Sequence, residues 1–131
     1  MLIERKAMKV VLWDQHQGNP PMGAGTPSFK IDRSSPIGNP FLIGGDGGRE
    51  EVCDKYQAWF IRLLDKDLEE DLRILPQEER ALDYLRMILQ AVEKNSVVYL
   101  LCWCPPNLQC HGLTIIHWLR VQGLEFTLER R

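Results

Sequence analysis

The chain has 131 residues, 44% apolar and 26% charged, with a formal net charge of −2 at pH 7. This length suits one domain with a real core, and the faint acidity gives no electrostatic case for wrapping a nucleic-acid backbone. No apolar run approaches the roughly 20 residues that span a bilayer, and the first residues lack a signal peptide's apolar centre, so a cytoplasmic protein with no membrane partner is expected.

Taken in order, Lys9–Trp13 (Lys-Val-Val-Leu-Trp) is a short apolar run and the expected first strand. A Gly/Pro-rich loop follows at about residues 14–36, broken by a brief strand at Ser28–Ile31. The compact run Ile37-Gly38-Asn39-Pro40-Phe41-Leu42-Ile43 then leads into Gly44-Gly45-Asp46-Gly47-Gly48 and a helix from Arg49 to about Lys66. Val52, Tyr56, Trp59, Phe60, Leu63 and Leu64 recur along that helix at helical spacing. Glycines such as Gly47 and Gly48 ahead of a helix let backbone N–H groups approach an anion. The run lacks the Gly-Lys-Ser/Thr ending of a P-loop, Asp46 adds negative charge unless it turns outward, and a flexible turn with a glycine-rich helix entry is the better explanation.

Asp67–Leu75 reads as a short helix or irregular connection, and Glu78–Lys94 as a helix with Leu82, Leu85, Ile88, Leu89 and Val92 on one stripe. Val97–Cys102 is an unbroken apolar strand, stopped by Pro105-Pro106. A helix from Cys110 to Gln122 and a strand at Leu124–Leu128 close the chain. The rhythm predicts one α/β domain over residues 1–131, a small three-layer sandwich with a mainly parallel, Rossmann-like sheet and helices on both faces. Val97–Leu101 is expected at its centre, with Val10–Trp13 and Glu125–Leu128 as parallel neighbours.

Three of the four cysteines crowd into one strand–loop–helix corner. In a reducing compartment they read as thiols or metal ligands rather than disulfides. Cys102 and Cys104 sit at i and i+2, on one face if extended. With Cys110 and His111 they supply four soft ligands that suit tetrahedral zinc, although the Cys-x-Cys spacing is unlike that of zinc knuckles. A second reading is a reactive Cys110, its pKa lowered by a helix N-terminus, with His111 adjacent and Cys104 as resolving thiol. A third is plain packing, which suits Cys102 at a core strand's end. Cys53 and His117 read as structural, and nothing assigns His16 a role.

The motifs Gly38-Asn39-Pro40-Phe41, Gly47-Gly48-Arg49-Glu50 with Tyr56 and Trp59, Leu101-Cys102-Trp103-Cys104-Pro105 and Cys110-His111-Gly112 together resemble a domain found in phages and bacteria, domain of unknown function family 4326. The likeness runs from about Ile37 to the C-terminus and implies an α/β fold with a cysteine–histidine site, without naming a reaction. The chain is more distantly similar to domain of unknown function family 488, where a strand-end Cys-x-Glu precedes Cys-His-Arg. Cys104 stands here at the Glu position and Gly112 at the Arg position, so only a cysteine–histidine pocket carries over.

The functional expectation is a pocket that binds or processes an anionic small molecule such as a nucleotide. Asn39, Arg49, Gly47 and Gly48 would hold the ligand, and Cys104, Cys110 and His111 would carry the chemistry. Arg49 and His111 are expected outside the core. The rival is a non-catalytic interaction module, of phage type, with the cysteines or zinc as a structural staple.

Overall fold

The computed structural model describes residues 8–23, 25–69 and 73–131. Four strands, β1 (Lys9–Asp14), β2 (Ser28–Lys30), β3 (Val97–Cys102) and β4 (Thr127–Arg130), form one sheet in the order β2-β3-β1-β4. Every pairing is parallel, with Val10 opposite Val98, Phe29 opposite Leu100 and Lys9 opposite Thr127. The α/β class and the interior position of β3 are as the sequence predicts.

The neighbours differ. β3 is flanked by β1 and β2, and β4 lies on the far side of β1. The connection from β3 therefore passes over β1 before the chain re-enters the sheet, as a right-handed crossover allows. Pairing of β4 also starts later than Leu124. Leu124 and Phe126 pack against the core, and the ladder opens where the Thr127 N–H donates to the Met8 carbonyl at 2.9 Å.

Among the described residues there are three α-helices: α1 (Arg49–Leu68), α2 (Pro76–Lys94) and α3 (Gly112–Val121). Helix α1 buries Val52, Tyr56, Phe60 and Leu63, one stripe three to four residues apart. Helix α2 begins two residues before the expected Glu78, because proline at the first helical position needs no N–H partner and Glu78 reaches back to the Leu75 N–H at 3.0 Å. Asp67 and Leu68 prolong α1, and residues 70–72 of the expected connection lie outside the described residues.

Alternation along the strands sorts their side chains between two faces. Val10, Leu12, Val98 and Leu100 join the buried residues of all three helices in one core. Val11, Trp13 and Tyr99 form a separate cluster, flanked by Val97 and Leu101 and containing no helical residue. Here the expectation of helices on both faces is corrected: all three α-helices serve one face. The loop after β1 runs to the other, where the Trp13 indole N–H donates to the Gly18 carbonyl at 2.8 Å. Among the described residues no helix is long and apolar enough to cross a membrane.

Candidate functional site

The chain leaves β1 toward the Trp13 face and leaves β3 toward the helical face. Adjacent parallel strands that part in this way open a crevice beyond their carboxyl ends. The cysteine corner lies at that edge, with Cys102 in register with Asp14.

A cleft of about 420 Å³ opens beside it. Asp32, Arg33 and Ser34 line it from the end of β2, Trp103 and Cys104 from the end of β3, and Arg49 and His111 from the starts of α1 and α3. Asn39, Phe41 and Ile43 close it from the loop before α1. Arg49, Asn39, Cys104 and His111 thus share one space. Gly47, Gly48, Cys102 and Cys110 do not line it.

The glycine run has its own internal use. The Gly44 N–H donates to the Gly47 carbonyl at 2.8 Å, and Gly47 holds a φ of 121°, a backbone that favours glycine. The Glu51 carboxylate lies against Gly47, so the acidic group at this helix N-terminus is the protein's own. Asp46 accepts the Leu42 N–H at 2.8 Å.

Asn39 is a buried strut. Its Oδ1 accepts the Phe41 N–H at 2.9 Å, and its Nδ2 donates to the Val52 carbonyl at 3.3 Å, tying the Asn39-Pro40-Phe41 turn to α1. Arg33 braces the same turn through the Asn39 and Phe41 carbonyls. Arg49 donates to the Gln109 carbonyl at 3.2 Å, so the start of α1 grips the cysteine loop. The Arg130 guanidinium grips that loop from β4, donating to the Pro105 and Leu108 carbonyls at 3.2 and 2.6 Å.

His111 belongs to the core, against expectation. It is 8% exposed, its ring meets Tyr56 edge-on at 5.0 Å, and Nε2 bonds to the Ile31 carbonyl at 2.6 Å. A carbonyl only accepts, so Nε2 carries the hydrogen, and Nδ1 is the nitrogen left for Cys104. Helix α3 starts at Gly112, with His111 as its cap residue, so Cys110 precedes the helix rather than opening it.

The sulfurs of Cys102, Cys104 and Cys110 all lie within 4.8 Å of one another. Three cysteines so placed could hold a metal ion, and an all-sulfur set suits a thiophilic one. The expected fourth ligand, His111, is not among them. Cys102 and Cys110 are 1% and 2% exposed, and Cys104 is half-buried on the cleft. Hydrogen bonds from the Cys102 and Cys110 thiols, with His111 beside them, hold the Cys104 thiol well below its ordinary range. Donating to Cys104 pushes Cys102 up to about 11. Cys110 is raised by its bonds to Cys102 and Cys104 and by burial. Electrostatically Cys104, and not Cys110, is the best bearer of negative charge among the three.

Several lining residues carried no motif. Asp32 accepts from Gln15 Nε2 at 2.8 Å and Trp103 Nε1 at 3.1 Å, as well as from Ser34, so it joins the loops leaving β1, β2 and β3. Burial raises its pKa, but those hydrogen bonds outweigh it and the net shift is downward. Cys53, read from sequence as structural, is buried and also lines the cleft, and burial, then Cys104, raise its pKa. His16 has structure too. Its Nδ1 lies 2.6 Å from the buried Asp14 carboxylate, and its ring meets Trp103 edge-on at 5.1 Å. An Asx-type pattern at Asp32-x-Ser34 was the available sequence signal; the pairing of His16 with Trp103 had none.

Compared with known families, the model for Domain of unknown function (DUF4326) matches residues 16–121. The chain belongs to that family. The match reaches back to His16, into the loop that the motif likeness left out. No curated protein and no solved structure matches the chain.

Proposed function

We propose that the cleft binds a small anionic, nucleotide-like ligand and that Cys104, paired with His111, performs thiol chemistry on it. The observation that carries this reading is one cleft lined by the Arg49 guanidinium, the Trp103 and Phe41 rings and the Cys104–His111 pair. Aromatic faces suit a planar base, and a guanidinium suits a carboxylate or phosphate. A thiol whose charged form is supported by neighbouring donors is a competent nucleophile. Roles are thereby redistributed from the sequence expectation. Cys104 is the nucleophile, Cys110 stands behind it, and Asn39 shapes the wall.

The test is titration of the protein with a panel of nucleoside monophosphates and with inorganic phosphate, followed by tryptophan fluorescence. Arg49→Ala is expected to weaken binding about ten- to a hundredfold, the loss of one charge-assisted hydrogen bond of roughly 1.5–3 kcal/mol. Binding by none of the panel, or equal binding by Arg49→Ala, overturns the reading.

A second reading, the interaction module with a zinc staple, is favoured by the three clustered sulfurs and by the Gly112 N–H, which donates to Cys110 Sγ at 3.3 Å. Amide donors to sulfur support metal-bound thiolates as part of the shell around a metal. Elemental analysis finding about one zinc per chain, with chelator lowering the melting temperature, selects it.

A further inference from the structure

We infer that Cys104 and Cys110 form a reversible disulfide under hydroperoxide, making the cleft thiol a redox-modifiable site. The inference stands on access and proximity and is independent of which ligand the cleft takes. Of the three clustered cysteines only Cys104 meets solvent to any extent, so an oxidant arriving through the cleft reaches its sulfur first. Two further sulfurs wait within 4.8 Å, close enough to trap an oxidised Cys104 before a second oxidant arrives.

Cys110 is the better partner of the two. Cys102 is the last residue of β3, fixed in the ladder opposite Asp14, with its sulfur directed at the Trp13 carbonyl at 3.6 Å. Cys104 and Cys110 instead flank a turn outside the sheet, closed by the Leu108 N–H to Pro105 carbonyl bond at 3.0 Å. Arg130 and Arg49 clamp that turn at Pro105, Leu108 and Gln109, which keeps its two ends together while the sulfurs approach to about 2.05 Å.

The chemistry balances in two steps. The Cys104 sulfur attacks the terminal hydroxyl oxygen of the hydroperoxide; an S–O bond forms as the O–O bond breaks, Cys104 becomes a sulfenic acid, and the alcohol (water, for hydrogen peroxide) leaves carrying the Cys104 proton. The Cys110 sulfur then attacks the sulfenic sulfur. The S–O bond breaks, water departs with the Cys110 proton, and the S–S bond forms. Two electrons pass from the thiols to the peroxide, and an external dithiol returns them.

The experiment treats the purified full chain, its metal content measured in parallel, with a few equivalents of hydrogen peroxide and maps its peptides without reduction. The expected product is lighter by about 2 Da, contains a Cys104–Cys110 cross-link, and returns to its starting mass with dithiothreitol. Cys110→Ser should stop at a sulfenic acid on Cys104 that dimedone captures, and Cys104→Ser should leave Cys110 reduced. Cross-linking through Cys102 or Cys53, or thiols inert because a bound metal occupies all three sulfurs, overturns the inference. Failure of nucleotide binding by the reduced protein, with the disulfide still forming, would sink the pocket reading and leave this one intact.

Discussion

Gly38→Ala tests the geometry that brings the two walls of the cleft together. A methyl built at Gly38 would lie 2.1 Å from the Asp32 carbonyl oxygen, 2.5 Å from its carbon and 2.7 Å from Arg33 Cα. All three neighbours are backbone, so no rotamer change relieves the clash. Reaching even a 3.0 Å separation needs the 32–33 turn to retreat by about 1 Å, carrying Asp32 and Arg33 out of the cleft wall. Overpacking costs typically 1–3 kcal/mol, and a forced backbone shift belongs at the upper end, so we expect a loss of about 3 kcal/mol. At this chain length that lowers the melting temperature by about 10 °C. Thermal unfolding followed by far-UV circular dichroism reads it directly. Gly45→Ala is the control, since nothing lies within 4 Å of its added methyl; its stability should move by less than roughly 0.5 kcal/mol. A Gly38→Ala melting temperature within about 2 °C of the wild type would refute the close approach.

Tyr56→Phe removes a buried hydroxyl that donates to the Ile37 carbonyl at 2.7 Å, leaving that oxygen unpaired. Urea unfolding should show a loss of about 1–3 kcal/mol, and an unchanged midpoint would mean water takes the hydroxyl's place. Asp32 supplies a pH signature: its pKa is lowered in the fold, so its stabilisation is present above the unfolded value of about 3.9 and is lost as pH falls through the lower folded value. Below about pH 4 the wild type should lose stability more steeply than Asp32→Asn, with a matching change in Trp103 fluorescence; parallel acid profiles would count against the three-loop tie.

Much of the fold was legible because local signals agreed with it. Val97–Cys102 reads as a strand buried on both faces and is one, and the α2 stripe of Leu82, Leu85, Ile88 and Val92 packs as its period requires. The strand order was not legible, since nothing local in Thr127–Arg130 says whether it pairs with β3 or β1. That choice rests on where the α3 crossover lands. Nor was the one-sided placement of the helices, because a loop can cover a small apolar patch such as Val11, Trp13 and Tyr99. In the site, Arg49, Cys104 and His111 were named from their places at strand and helix ends, and one cleft receives all three. Asp32, Trp103 and His16 were missed because their pairings join residues far apart in the chain, 71 residues for Asp32 with Trp103, 17 for Asp32 with Gln15 and 87 for His16 with Trp103, which only the sheet brings together.

The reassignment from Cys110 to Cys104 is a matter of magnitudes. A helix N-terminus favours a nearby anion by about 0.3–1 kcal/mol at an exposed site, well under one pKa unit. That is the whole of what position in the sequence offered Cys110. Against it stand a residue only 2% exposed and a thiol proton already engaged by its neighbours. The hydrogen bonds to Cys102 and Cys104 hold that proton on, burial adds to their effect, and together they override the dipole. Cys104 escapes the same fate because β3 ends at Cys102 and lets the next two residues turn out to the cleft, while the two buried thiols remain behind it as donors. Burying Cys102 and Cys110 therefore creates the asymmetry that makes one of three identical groups different.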